Sequence, residues 1–161
     1  MEDYAANRPP VEDRVNQIDR LVSESEIRNL VARLSHLADD GDLAEYMSLL
    51  TEDATWGHAG AGDTLRGQEE LLAGARQRRR DGIQGPGTST LHINTTLWVS
   101  VDAPGQARAE SYFLYLRTHR TDRPEILLTG RYVDTLRRTE QGWRLASRTI
   151  VNEVNLTFAR R

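Results

Sequence analysis

Residues 107–118 read Ala107-Arg108-Ala109-Glu110-Ser111-Tyr112-Phe113-Leu114-Tyr115-Leu116-Arg117-Thr118. Arg108 and Glu110 fall on one parity, and Ala107, Ala109, Ser111, Phe113 and Tyr115 on the other. A period of two is the signature of a β-strand with one face buried. Working backwards, Leu91 to Val101 is rich in Thr, Val, Leu and Trp, and Ala103-Pro104-Gly105 is a turn between the two runs. Working forwards, Thr121-Asp122-Arg123-Pro124 breaks the pattern. Glu125 to Arg138 then predicts a third strand, Glu140-Gln141-Gly142 a tight turn, and Trp143 to Val151 a fourth strand. Everything after Gly85-Pro86-Gly87 is therefore a meander of long antiparallel strands.

The first half has a different period. Ser23-Glu24-Ser25-Glu26 fits a capping box, and Ile27, Leu30, Val31, Leu34 and Leu37 follow at helical spacing as one apolar stripe. Gly41 stops that helix, and Asp42 is placed to cap a second one running through Leu50. Thr51-Glu52-Asp53 reads as an acidic turn, Ala54-Thr55-Trp56 as a short strand, and Gly57 to Gly62 as a glycine-rich loop. A third helix spans about Gln68 to Arg79. Its end, Arg76-Gln77-Arg78-Arg79-Arg80, reads as a solvated basic run favoured by the helix dipole. Residues 1–20, with Pro9 and Pro10, read as a flexible lead-in to one domain over 21–152, with a C-terminal arm at 153–161. Helices followed by an antiparallel meander predict an α+β fold, with helices on one face of a curved sheet and a hollow between them.

Composition narrows the chemistry. A net charge of −3 and a pI near 5.8 argue against a nucleic-acid partner. No stretch approaches the ~20 apolar residues of a membrane helix, and the polar N-terminus has no signal-peptide core, so a cytoplasmic location is expected. There is no cysteine, and all 21 residues counted as Lys+Arg are arginine. That removes thiol nucleophiles, disulfides, thiolate metal sites and lysine Schiff bases. Arginine stays protonated, so proton transfer is left to Asp, Glu, His or Tyr. No His-Glu-x-x-His or similar spacing appears, so neither a metal nor a cofactor is expected.

Four passages, in this order and at these intervals, carry a family resemblance. They are Leu37-Ala38-Asp39-Asp40-Gly41-Asp42-Leu43 ahead of Leu49 to Ala54, then Leu91-His92-Ile93-Asn94-Thr95-Thr96, then Gly130-Arg131-Tyr132-Val133-Asp134, and Gly142 to Arg148. Over residues 23 to 152 the chain resembles the SnoaL-like branch of the nuclear transport factor 2-like superfamily. The resemblance implies a cone-shaped α+β barrel, three N-terminal helices packed on a curved, mainly antiparallel sheet, with one pocket between them. Relatives include polyketide cyclases, scytalone dehydratase, bile-acid dehydratase and the structural small subunit of ring-hydroxylating dioxygenases. Fold alone does not select among these.

The lyases of the family use an Asp-His pair, which maps onto Asp39 and His92. Imidazole exchanges protons near neutral pH, and a carboxylate behind it would fix its tautomer. The alternative for Asp39 is a helix-ending turn residue, and for His92 a hydrogen-bonded wall histidine. Asn94 and Thr96 would share the face of His92. Family dehydratases often carry a tyrosine about one turn before the Asp, where this chain has Arg33-Leu34-Ser35. Tyr46, Tyr115 or Tyr132 would have to supply that hydroxyl. Trp56, His58, Ser111, Phe113 and the Tyr132/Asp134 pair complete the expected ligand-binding wall, although Asp134 could equally bond to Arg148. His36 and His119 are expected at the surface, and Trp98, Trp143 and Leu145 in the core.

The leading expectation is a cofactor-independent lyase or isomerase, of dehydratase or cyclase type, acting on a small apolar cyclic or polyketide-like molecule. The alternatives are a non-catalytic ligand-binding protein and a structural subunit like the dioxygenase small chain. Val154, Leu156 and Phe158 alternate along the tail as an extra strand or an arm over a neighbour, which points to a homodimer or homotrimer.

Overall fold

The structure is a computed structural model and describes residues 11–62, 64–118 and 123–154, with side chains over 16–62, 64–118 and 123–151. The elements run α1 (Val11–Asp40), α2 (Leu43–Ser48), β1 (Leu50–His58), β2 (Leu65–Arg66), α3 (Gly67–Arg80), β3 (Thr90–Ala103), β4 (Gln106–Arg117), β5 (Glu125–Thr139) and β6 (Gly142–Val154). The architecture is α+β, a curved, open six-stranded sheet with helices on it. The sheet order is β2-β1-β6-β5-β4-β3. Every neighbouring pair is antiparallel except β1 and β6, which run parallel, with Trp56 opposite Arg148.

The four long strands match the meander expected from the alternation, but the first half departs from the sequence reading: α2 ends at Ser48, Leu50 opens β1, and Gly57 and His58 close that strand rather than lying in a loop. α1 begins at Val11, so Ser23 lies inside a helix and is 4% exposed rather than capping its start. Thr51-Glu52-Asp53 is strand rather than turn: Leu50 and Ala54 bury against the core while Glu52 and Asp53 face water. The basic run at the end of α3 is also not uniformly solvated, as described below. The cap of α2 is as expected, with the Asp42 carboxylate accepting from the Ala44 and Glu45 N–H groups at 2.7 and 3.0 Å. His119 and the arm beyond Val154 lie outside the described residues.

Two bulges change which residues point inward. In β3 the register slips by one between Thr95 and Trp98, and Thr96 adopts a φ of 48°. An extra residue in a strand flips the parity of everything after it. His92 and Asn94 therefore face the helices on one side of the slip, and Leu97 and Val99 do so on the other. Thr96 is exposed, so it does not share the face of His92. Trp98, expected in the core, is turned outward and 49% exposed, with the Arg108 guanidinium 5.8 Å from its ring centre. In β6, Leu136 pairs with Leu145 and Thr135 with Ser147, leaving Ala146 as the extra residue. Trp143 and Leu145 are buried before it, and Arg148 after it.

The space between helices and sheet has a packed end and a hollow end. Ile27, Leu30 and Val31 of α1 meet Val99, Ala107, Ala109, Leu136, Trp143 and Leu145 across the packed end. Towards the other end, Leu34, Ala38, Phe113, Leu128, Tyr132 and Ile150 surround a cavity of about 360 Å³. Gly130 shapes one of its walls, Phe113. A Cβ there would stand 2.9 Å from the Phe113 ring, so its absence lets Phe113 lie flat across the strand and stack on Tyr132 at 4.3 Å.

Candidate active site

Asp39 lies on the last turn of α1 and His92 near the beginning of β3, and the two meet at the cavity wall. One Asp39 oxygen accepts the His92 main-chain N–H at 2.7 Å, and the other lies 2.6 Å from Nδ1. Both side chains are mostly shielded, 14% and 13% exposed. A carboxylate on Nδ1 holds that nitrogen protonated, which leaves the Nε2 lone pair as a proton acceptor. Among the described residues Nε2 has no partner, and the ring lines the cavity. The Tyr115 ring packs on the imidazole with centres 4.6 Å apart.

The helix that delivers Asp39 is fastened to β3 at two further levels. Arg28 Nη1 donates to the Leu97 carbonyl at 2.8 Å, and Asn94 Nδ2 donates to Ser35 Oγ at 2.9 Å. Ser35 stands one turn before Asp39, where the resemblance led one to look for a tyrosine, and it lines the cavity. Asn94 is therefore a strut between strand and helix and does not itself line the cavity. The C-terminus of α1 is capped from α3, because Arg79 Nη2 donates to the carbonyls of Gly41 (2.6 Å) and Leu37 (3.2 Å).

Three tyrosines line the cavity. Tyr46 comes from α2 and Tyr132 from β5, and both are buried at 4% exposure. Neither hydroxyl has a hydrogen-bond partner among the described residues. Burial pushes the Tyr46 hydroxyl up to about 12, against the opposing pull of the Arg148 and Arg78 charges. Burial raises Tyr132 in the same way. Both therefore stay protonated and can donate a hydrogen bond at any ordinary pH. Tyr115 is different, since its hydroxyl donates to the Ile83 carbonyl and ties the 81–89 segment to the sheet.

Opposite the His92 wall lies a buried cation. Arg148, 3% exposed, grips Asp134 with two hydrogen bonds, Nε to Oδ1 at 2.8 Å and Nη2 to Oδ2 at 2.6 Å. Its guanidinium carbon is 4.0 Å from the Tyr132 ring centre and 5.0 Å from that of Trp56. Burial opposes its charge, but the Asp134 carboxylate overrides that and keeps it protonated. Asp134 is consumed by this pair and lies behind the wall, as does Ser111 at 1% exposure. Trp56, Phe113 and Tyr132 do line the cavity, and exposed His58 sits at its rim.

The structure thus brings together Asp39, His92, Tyr46, Trp56, His58, Phe113, Tyr115 and Tyr132, and sets Asn94, Ser111 and Asp134 outside the lining. Sequence reasoning missed Arg148, Arg78 and Gln84 as lining residues. Counting by twos from Trp143 would have pointed Arg148 outward, and only the bulge at Ala146 turns it in. His36 is exposed as expected. Among the described residues no group of three or more His, Asp or Glu could hold a metal, and no helix is long and apolar enough to cross a membrane.

Residues 19–149 match the family model described as a SnoaL-like domain. Solved structures with similar folds include a Novosphingobium aromaticivorans protein of the nuclear transport factor 2-like, cystatin-like fold. It is 23% identical, with 95% of this chain and 94% of that chain covered and a TM-score of 0.74. A Catenulispora acidiphila protein in complex with S-DNPA is 24% identical over 83% of this chain and 96% of that chain, with a TM-score of 0.69. A second N. aromaticivorans protein, assigned as a scytalone dehydratase, is 19% identical over 88% and 91% of the two chains, with a TM-score of 0.68. No curated protein matches the chain by sequence.

Proposed function

The chain belongs to the SnoaL-like family, and from that premise we propose that it is a cofactor-independent acid/base enzyme of dehydratase, isomerase or cyclase type. Its substrate is a small, largely apolar cyclic molecule with a carbonyl next to an acidic C–H. The observation that carries this reading is the Asp39 carboxylate bridging the main chain and Nδ1 of His92 at the wall of an apolar cavity. The likeness to a protein assigned as a scytalone dehydratase, and to one that holds a small molecule, supports the reaction class and the ligand class.

In this reading Nε2 of His92 takes the proton from the carbon beside the carbonyl, and Asp39 stabilises the imidazolium that forms. The electron pair left on carbon moves onto the carbonyl oxygen, where the neutral hydroxyls of Tyr46 or Tyr132 donate to it. The electron pair then returns through carbon and either expels a β-hydroxyl, which takes the Nε2 proton and leaves as water, or picks up that proton at another carbon, or bonds to a second carbonyl carbon, whose oxygen takes the proton as the ring closes. Enclosure of the cavity strengthens each of these interactions.

A substrate-independent probe of the first step is exchange of the α-hydrogens of β-tetralone in heavy water, followed by NMR. The wild type is expected to accelerate exchange, and His92→Ala and Asp39→Asn each to lose about 100-fold or more of that acceleration while remaining folded at the assay temperature. Undiminished exchange in folded His92→Ala would overturn the assignment.

A further inference from the structure

Two arginines line the cavity, and they are held very differently. Arg148 is closed into a bidentate pair with Asp134. Arg78, in the last turn of α3, makes neither an ion pair nor a side-chain hydrogen bond with any described residue. Its neighbours in the basic run are accounted for: Arg79 caps α1, Arg80 donates to Gln77, and Arg76 faces water.

The position of Arg78 is built rather than casual. A glycine weakens a helix interior, yet α3 has Gly74 one turn before Arg78. A Cβ at Gly74 would stand 2.9 Å from Leu65 Cδ1 and 3.3 Å from Arg78 Nη1. The space this glycine leaves is filled by Leu65, itself a lining residue, and by the guanidinium folded back along the helix towards the cavity. There it stands near enough for its charge to make the hydroxyls of Tyr46 and Tyr115 more acidic than burial alone would leave them. Around it the cavity is apolar or neutral, with Ile83, Gln84, Leu65 and the tyrosines. A carboxylate could not settle beside His92, because Asp39 already puts a negative charge there. At Arg78 it finds a cation with its donors free, and a guanidinium fork suits a carboxylate.

We propose that Arg78 is a specificity-determining residue that selects ring compounds bearing a carboxylate, holding that group at one side of the cavity while the ring extends towards His92. The orientation of the ring rests on the proton-transfer reading above, whereas anion selection does not.

The experiment compares β-naphthoate with its neutral near-isostere β-naphthamide, each titrated calorimetrically into the full-length protein and its variants. The wild type is expected to bind the carboxylate about tenfold more tightly than the amide, as one charge-assisted, part-solvated contact supplies. The preference should fall to near parity in Arg78→Gln, survive in part in Arg78→Lys, weaken as salt is raised, and remain intact in His92→Gln. Equal affinities in the wild type, no binding of the carboxylate, or a preference that persists in folded Arg78→Gln would each overturn the proposal. The last outcome would move the anion to Arg148, the other cation of the lining. Loss of tetralone exchange chemistry with the preference intact would count against the enzyme reading alone.

Discussion

At Asp39 both carboxylate oxygens are committed to one residue, the main-chain N–H and Nδ1 of His92. That arrangement fixes strand to helix and imidazole to tautomer in a single contact, so Asp39→Asn removes an acceptor where Asp39→Glu would displace it. The pair was legible in the sequence, because Asp39 and His92 sit in passages whose order marks the family. Arg148 and Trp98 were not legible, and for one reason: each follows a bulge, and parity counted by twos from the last recognisable residue fails there. The tyrosines make a prediction that belongs to this scale. The Tyr46 hydroxyl has a pKa near 10.0 in an ordinary setting and about 12 in the fold. Between those values the folded state holds a proton that the unfolded chain releases, so stability is fully present below pH 10 and falls as pH rises towards 12. Melting temperatures followed across that window should fall less steeply in Tyr46→Phe than in the wild type. An unchanged slope would show that Tyr46 is not the group responsible.

Among the elements, α1 owes its place to more than its apolar stripe. Arg28, Ser35 and Asp39 tie it to β3 at three levels, and Arg79 closes its last carbonyls. The stripe could be read from spacing; the ties could not, since each joins residues far apart in the chain. The basic run shows the same limit. Four arginines of one run divided into a cap, a cavity wall and a solvated remainder according to what α1 and the sheet offered them. Arg79→Ala is expected to cost about 1 kcal/mol of stability, measured by urea unfolding, since two carbonyls lose a donor while that of Leu37 keeps the Gly41 N–H. Its effect on tetralone exchange should be larger than that loss implies, because Asp39 lies midway between the two carbonyls released, two residues from each. Exchange at the wild-type rate would mean that the cap does not position the carboxylate.

For the molecule as a whole, the sequence predicted helices over a meander but could not say where the interior would be filled. That division depends on side chains meeting across the sheet. Val99, Leu136, Trp143 and Leu145 close one end, while the small side chains of Ala38 and Ser35 leave the other open. An unfilled apolar space forgoes packing energy, so enlarging a small wall residue should restore some of it. Ala38→Leu is expected to melt at or above the wild-type temperature and to lose the melting shift that β-naphthoate gives the wild type. A retained shift would place the ligand elsewhere. The parallel pairing of β1 with β6 carries a different consequence, in time rather than space. Trp56 finds its neighbour Arg148 only when almost the whole described chain is in hand. Contacts so remote in sequence form late, after local hairpins such as β3–β4 and β4–β5. The wall bearing Trp56 is therefore among the last parts to assemble, and on the ribosome the half-made cavity stands open until the final strand emerges, an interval in which its apolar lining is available to chaperones or to other unfinished chains.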